Sequence, residues 1–116
     1  FGYIPNVAEY YELLSMCDLV LSTSIHEFQG ISVMEAVAAG CIPLVPNRLS
    51  YQEYIDSMYC YESCLNDPKK EAISAVNLLI ETIGRPVDRG LINDMLKQYS
   101  WREMIGEYRN IINKLL

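Results

Sequence analysis

From Gly30 to Pro46 the chain carries a single charged side chain, Glu35, in an otherwise apolar run, and that run constrains the fold more than any other stretch. A lone carboxylate among apolar residues is costly to bury unless something pairs with it. The run divides at Gly40, which stands at a helix C-cap position, so residues after Gly30 read as a helix and Ile42-Pro43-Leu44-Val45 as a strand with its proline near the start. Ahead of the helix, Asp18 to Ser24 is a short apolar run with polar residues gathered at its C-terminal end, which predicts a buried parallel strand. Strand, helix, strand is the parallel crossover unit. The expected fold class is α/β, a partial Rossmann-like parallel sheet with flanking helices.

The helix start suggests a ligand. Glu27 lies in the loop just before it, Gly30 removes a side chain where backbone N–H groups point outward, and Glu35 falls in the second turn. Helical side chains lean toward the N-terminus, so Glu35 is expected to aim at the mouth that Glu27 flanks. Unpaired N–H groups and the helix dipole favour an anion there by about 0.3–2 kcal/mol. Carboxylates on either side of that anion would accept hydrogen bonds from hydroxyls, an arrangement that describes ribose, diphosphate and hexose. Bland readings stand beside these: Glu35 as a structural carboxylate capping a neighbouring N-terminus, Glu27 as a solvated loop residue, His26 as a shaper of the loop rather than a sugar contact. Tyr51 and Glu53 follow the second strand, at the sheet edge where open parallel sheets place ligand loops.

With 116 residues, one domain is the ceiling, and 51% hydrophobic content suffices for a core. A net charge of -6 argues against this chain alone gripping nucleic acid. Cys17, Cys41, Cys60 and Cys64 lie mostly in segments that read as helix or strand, which suits reduced thiols of a cytoplasmic protein. Cys60-x-x-x-Cys64 has no second pair and His26 is the only histidine, so no metal is expected. Gly40, Pro43 and Pro46 break the longest uncharged stretch before it could span a bilayer. Phe1 to Pro5 reads as the tail of a strand entering a loop, as in a piece of a longer protein.

Other elements follow from capping and periodicity. Asn6 with Glu9 predicts a helix over Val7 to Met16, and Ser100 with Glu103 another to the chain end, bearing Trp101, Met104, Ile105, Tyr108, Ile111, Ile112 and Leu115 and burying against protein. Asp67-Pro68 starts a helix that Gly84 stops, with Ala72, Ile73, Val76, Leu79, Ile80 and Ile83 as its apolar stripe. A short helix is expected over Leu91 to Gln98, and Tyr59-Cys60-Tyr61 offers a strand. Tyr10, Tyr11, Tyr54, Tyr59 and Tyr61 resemble a base-stacking platform, but their spacing and the acidic background read as packing.

The order Asp18-Leu-Val-Leu-Ser-Thr-Ser, His26-Glu-Phe-Gln-Gly, Met34-Glu-Ala-Val-Ala-Ala-Gly-Cys-Ile-Pro-Leu-Val-Pro resembles the donor-binding domain of retaining glycosyltransferases of family 4. Their mark, Glu, seven residues, Glu, falls on Glu27 and Glu35, with Gly30, Ala36, Gly40 and Pro43 in matching places. The resemblance implies a GT-B enzyme in which residues 1–116 are a single, truncated C-terminal nucleotide-sugar-binding domain. It implies Glu35 on the ribose hydroxyls, Glu27 on the transferred sugar, and the N–H groups of Gly30, Ile31 and Ser32 on the sugar and diphosphate. His26, Arg48 and Tyr51 complete the expected donor-binding set; no residue of the chain is expected to be catalytic. The family takes an Arg and a Lys near the phosphates from a preceding segment, and here Arg48 is the only local cation, so the chain alone is expected to be inactive. His-Glu-Phe-Gln-Gly, Gly40-Cys41 and Pro46-Asn-Arg-Leu-Ser-Tyr-Gln-Glu53 further resemble the tRNA-queuosine mannosyltransferase-like subgroup, which implies GDP-mannose as donor and a tRNA acceptor held through the N-terminal lobe.

Two alternatives remain at this point: a family member with another sugar nucleotide and acceptor, or a non-catalytic Rossmann-like binding or oligomerisation module. A sugar-nucleotide epimerase would show a dinucleotide glycine fingerprint, which is absent. The Leu19 to Ser22 strand is expected to have an open edge in this chain, and open hydrophobic edges pair, which predicts a homodimer or a rearranged N-terminus over it.

Overall fold

The computed structural model describes residues 2–116 and centres on the expected crossover unit. Helix α1 (Val7–Ser15), strand β1 (Leu19–Leu21), helix α2 (Ile31–Ala38) and strand β2 (Ile42–Pro46) follow in order, and β3 (Cys60–Tyr61) adds beyond β2. All pairings are parallel and the sheet order is β1-β2-β3. Helix α2 ends in a Schellman motif: Gly40 sits at φ 103°, its N–H bonds the Val37 carbonyl, and the Cys41 N–H reaches back to Ala36.

The five residues of β2 are all buried, yet this central strand contains Pro43. Successive residues of a parallel strand bond alternately to its two neighbours. Ile42 donates to the Asp18 carbonyl and Leu44 accepts from Ser22, so even positions face β1. Pro43 faces the other side, where pairing begins only at Val45 opposite Cys60. The missing N–H therefore removes no ladder bond.

Four expectations need correction. β1 is shorter and less buried than a fully enclosed strand: it stops at Leu21, which is 58% exposed, because among the described residues it pairs with β2 alone. Gly2 to Pro5 have no regular structure, and Phe1 lies outside the described residues. Beyond β2, where Tyr51 and Glu53 were expected in a loop at the sheet edge, α3 (Tyr51–Tyr54) and a 3-10 turn (Ser57–Tyr59) bring Tyr51, Tyr54 and Tyr59 into the core with Val33, Val37, Ile42 and Val45. Aromatic residues spaced too closely for a periodic signal built this part of the interior.

The last correction concerns α4 (Pro68–Ile83), which starts and stops where expected, capped by Asp67. Its sheet-facing side carries Glu71, Ser74, Ala75, Leu78, Leu79 and Thr82, while Ile73, Val76, Ile80 and Ile83 point outward. Polar ties set that rotation: Glu71 bonds Arg48 and the Cys64 N–H, and the Ser74 hydroxyl accepts from the Glu62 N–H. The chain closes with α5 (Arg89–Met95), which inserts Ile92 and Met95 into the core, a 3-10 turn (Lys97–Tyr99) and α6 (Trp101–Leu115). No α6 residue is fully buried: Met104 and Ile105 are partly covered, while Trp101, Tyr108, Ile111, Ile112 and Leu115 of its apolar stripe are exposed. The radius of gyration, 16.2 Å, exceeds the roughly 13 Å of a compact domain of this size.

Gly30 is indispensable to the start of α2. Its φ is 69°, and a Cβ there would lie 2.3 Å from the Tyr54 hydroxyl and 2.9 Å from the Tyr51 ring. Gly30→Ala is expected to cost about 2–4 kcal/mol, combining left-handed strain with overpacking. Tyr54→Phe in the same chain should recover part of that loss, leaving the backbone strain. Urea midpoints of the single and double variants would check this, and an unchanged midpoint for Gly30→Ala would refute it.

Candidate functional site

The C-terminal end of β1 and the N-terminus of α2 border a cleft of about 410 Å³ whose lining includes Tyr10, Ser22, Ser24, Glu27, Ser32 and Tyr51. At its helix end, the N–H groups of Ile31, Ser32 and Val33 have no protein acceptor among the described residues. The Gly30 N–H does: Glu27 Oε1 accepts from it at 3.1 Å and from the Phe28 N–H at 3.0 Å. Glu27 thus turns one oxygen onto its own loop. The other has no partner among the described residues and remains available to a ligand.

Glu35 meets α1. Tyr10 donates its hydroxyl to Glu35 Oε2 at 2.9 Å, and Tyr11 to Oε1 at 3.2 Å. The two rings sit 5.3 Å apart. Hydrogen bonding to the carboxylate pushes both phenols above their ordinary pKa, so both stay protonated donors. The lone acid of the apolar run is therefore paired, though with tyrosines rather than with a helix N-terminus. Glu35 does not itself line the cleft; it is joined to it through Tyr10, which also lines a second pocket of about 360 Å³ with Gly2, Tyr3, Ile4 and Leu13.

The remaining expected residues fall into two groups. His26 is exposed beside the fully exposed Phe28, with no hydrogen bond among the described residues. Tyr51 is wholly buried under the cleft, its hydroxyl 2.7 Å from Ser22 Oγ. Arg48, expected as the local cation for donor phosphates, is 9% exposed and its guanidinium is committed within the protein. Its Nε and Nη2 donate to the Ser24 carbonyl at 3.0 and 2.9 Å, and its Nη1 to Ser63 Oγ at 2.8 Å and Glu71 at 2.7 Å. Tyr61 adds a 2.7 Å bond to the Ser22 carbonyl. Arg48, Tyr51 and Tyr61 together pin residues 22–24, the root of the loop that bears His26 and Glu27.

Sequence reasoning missed Tyr10, Tyr11, Tyr61 and Glu71 as parts of this site. Two adjacent phenols ahead of a lone carboxylate were the available signal for the first pair. Among the described residues no cluster of three His, Cys, Asp or Glu side chains is placed to hold a metal. The four cysteines are free thiols, and burial pushes Cys60 up to about 11. No helix of the described residues is long and apolar enough to cross a membrane.

Over residues 1–83 the chain matches the family described as glycosyl transferases group 1. It is 30% identical over 116 residues, 98% of its length, to the tRNA-queuosine alpha-mannosyltransferase of Drosophila melanogaster, and covers 29% of that protein. The chain thus spans less than a third of the length of that curated relative. No solved structure matches it.

The tie between Arg48 and Glu71 makes stability depend on pH. The Arg48 hydrogen bond and then the Cys64 N–H hold the Glu71 carboxyl below its ordinary pKa. A carboxyl depressed in the fold contributes stability above its unfolded pKa, about 4.3, and loses it as pH falls through the lower folded value. Glu71→Gln is expected to cost about 2 kcal/mol at neutral pH. That difference from wild type should shrink steadily below pH 4. Urea unfolding at pH 7, 5 and 3 is the check; a pH-independent difference would contradict the assignment.

Proposed function

Because the chain belongs to the glycosyl transferases of group 1, we propose that it forms the donor-binding portion of a retaining glycosyltransferase that moves a hexose from a nucleotide sugar to an acceptor. The observation that carries this reading is the α2 N-terminus: unpaired N–H groups facing a polar cleft, with Glu27 at its side and Glu35 behind Tyr10. The Ile31 and Ser32 N–H groups take the diphosphate oxygens. Glu35 accepts from the ribose hydroxyls. Glu27 accepts from the transferred sugar through its unpartnered oxygen, with exposed His26 beside it, while its bonded oxygen keeps the Gly30 N–H and hence the loop in place. Arg48 and Tyr51 serve the same site from beneath by fixing residues 22–24.

In this reading the carboxylates orient substrate rather than act as an acid and base pair. Both are acceptors for hydroxyls, and neither suits a phosphate. A diphosphate carries about two negative charges, and with Arg48 bound to Glu71 the counter-cations come from outside this chain. The chain alone then binds donor weakly and is inactive. No metal or other cofactor is required.

We assign GDP-mannose as donor and the queuosine base of a tRNA as acceptor, on the strength of the shared pattern around His26 to Gly30 and the relative that aligns along 98% of the chain. With a net charge of -6, this chain leaves the tRNA to a basic surface elsewhere in the protein, which acts in the cytoplasm. The exposed edge of β1 favours a homodimer of the isolated chain, and sedimentation showing a monomer with fast amide exchange across Leu19 to Leu21 would exclude it.

The test uses the full-length protein in titration calorimetry with GDP-mannose, UDP-glucose and UDP-N-acetylglucosamine. Wild type is expected to bind GDP-mannose selectively, and Glu35→Ala to weaken it at least about tenfold, the loss of two hydroxyl bonds to a charged acceptor. Binding of another donor would move the protein to a different member of the same family. Binding of none would favour a non-catalytic module.

A further inference from the structure

We infer that Tyr10 and Tyr11 are positioning residues that turn Glu35 into a receptor for a vicinal diol, and so make this site discriminate ribose from 2′-deoxyribose. The inference rests on the donor-binding reading of Glu35 given above and adds to it the residues that set its selectivity. The two hydroxyls approach different oxygens of one carboxylate, Tyr10 at Oε2 and Tyr11 at Oε1. An ionised carboxylate offers about four lone-pair sites. Each oxygen therefore keeps one acceptor site free after its phenol is bound, and the pair fixes the plane in which the free sites lie. Two acceptors on one fixed plane suit two neighbouring hydroxyls. A 2′-deoxy sugar fills only one of them.

Packing does not account for this arrangement. α1 has no buried residue, and the Tyr11 ring is 46% exposed. A single donor would satisfy a partly exposed acid such as Glu35. Two donors from consecutive helix positions, one for each oxygen, remove its rotational freedom instead, and a preorganised acceptor avoids the ordering cost when the diol binds.

The experiment compares GDP with 2′-deoxy-GDP by calorimetry in the full-length protein, as wild type, Tyr10→Phe, Tyr11→Phe, the double variant and Glu35→Gln. Wild type is expected to favour GDP by about tenfold or more, equivalent to one well-placed hydrogen bond. The double variant should lose most of that preference through weaker GDP binding, with 2′-deoxy-GDP affinity changed less than about twofold. Each single variant should fall between, and carries the test if the double variant fails to fold. A merely structural role would instead weaken both nucleotides equally and leave the ratio intact, which overturns the inference. If Glu35→Gln abolishes the preference while the phenylalanine variants keep it, the tyrosines are excluded and the donor reading survives. If Glu35→Gln keeps the preference, or wild type binds neither nucleotide, the donor reading fails and the inference with it.

Discussion

The guanidinium of Arg48 is the junction on which the arrangement of this chain depends. It leaves the end of β2, closes on the Ser24 carbonyl ahead of α2, and meets Glu71 on α4, so a single side chain ties three segments distant in sequence. A buried charge of this kind is tolerable only with a full set of partners, and removing one strands the other. Its grip on Ser24 sets the root of the loop that carries Glu27. Its grip on Glu71 sets the rotation of α4. The same contact thus shapes the cleft and decides which apolar residues of α4 face outward.

How far the sequence could be read follows from the range of each interaction. The crossover from β1 through α2 to β2, the caps at Asn6, Asp67 and Ser100, and the stop at Gly40 are local in origin, and each lies where its residues imply. The stripe on α4 misled because that helix has apolar residues on two sides, and periodicity alone does not say which one meets the sheet. Glu71 and Ser74 decide it, through partners up to 23 residues away in sequence. Tyr54 and Tyr59 read as packing residues and Tyr51 as a sheet-edge residue, but the elements that carry them went unread for a related reason: a helix of four residues and a 3-10 turn leave too short a pattern to register.

At the site, the carboxylates and the glycine were visible, whereas the side chains that hold them were not. Glu35 stood out as an isolated charge, and pairing it required two hydroxyls from α1, 24 and 25 residues upstream. Arg48 shows the converse. Its charge and its place after β2 suggested a phosphate partner, but burial and three protein acceptors assign it to architecture. Surface charges advertise themselves in a sequence; whether they are spent internally is decided by folding.

Pro43 has a consequence for how the sheet finds its order. Were β2 to slip by one residue, the imide nitrogen would swing round to β1, where the ladder demands a donor, and every buried side chain of the strand would exchange faces at the same moment. With both faces of β2 buried, the wrong alignment loses a ladder hydrogen bond and the fit of each side chain to its neighbours, while the native one loses neither. A residue that reads as a fault in a central strand therefore acts as a proofreading device, rejecting the nearest misfolded neighbour of this small sheet.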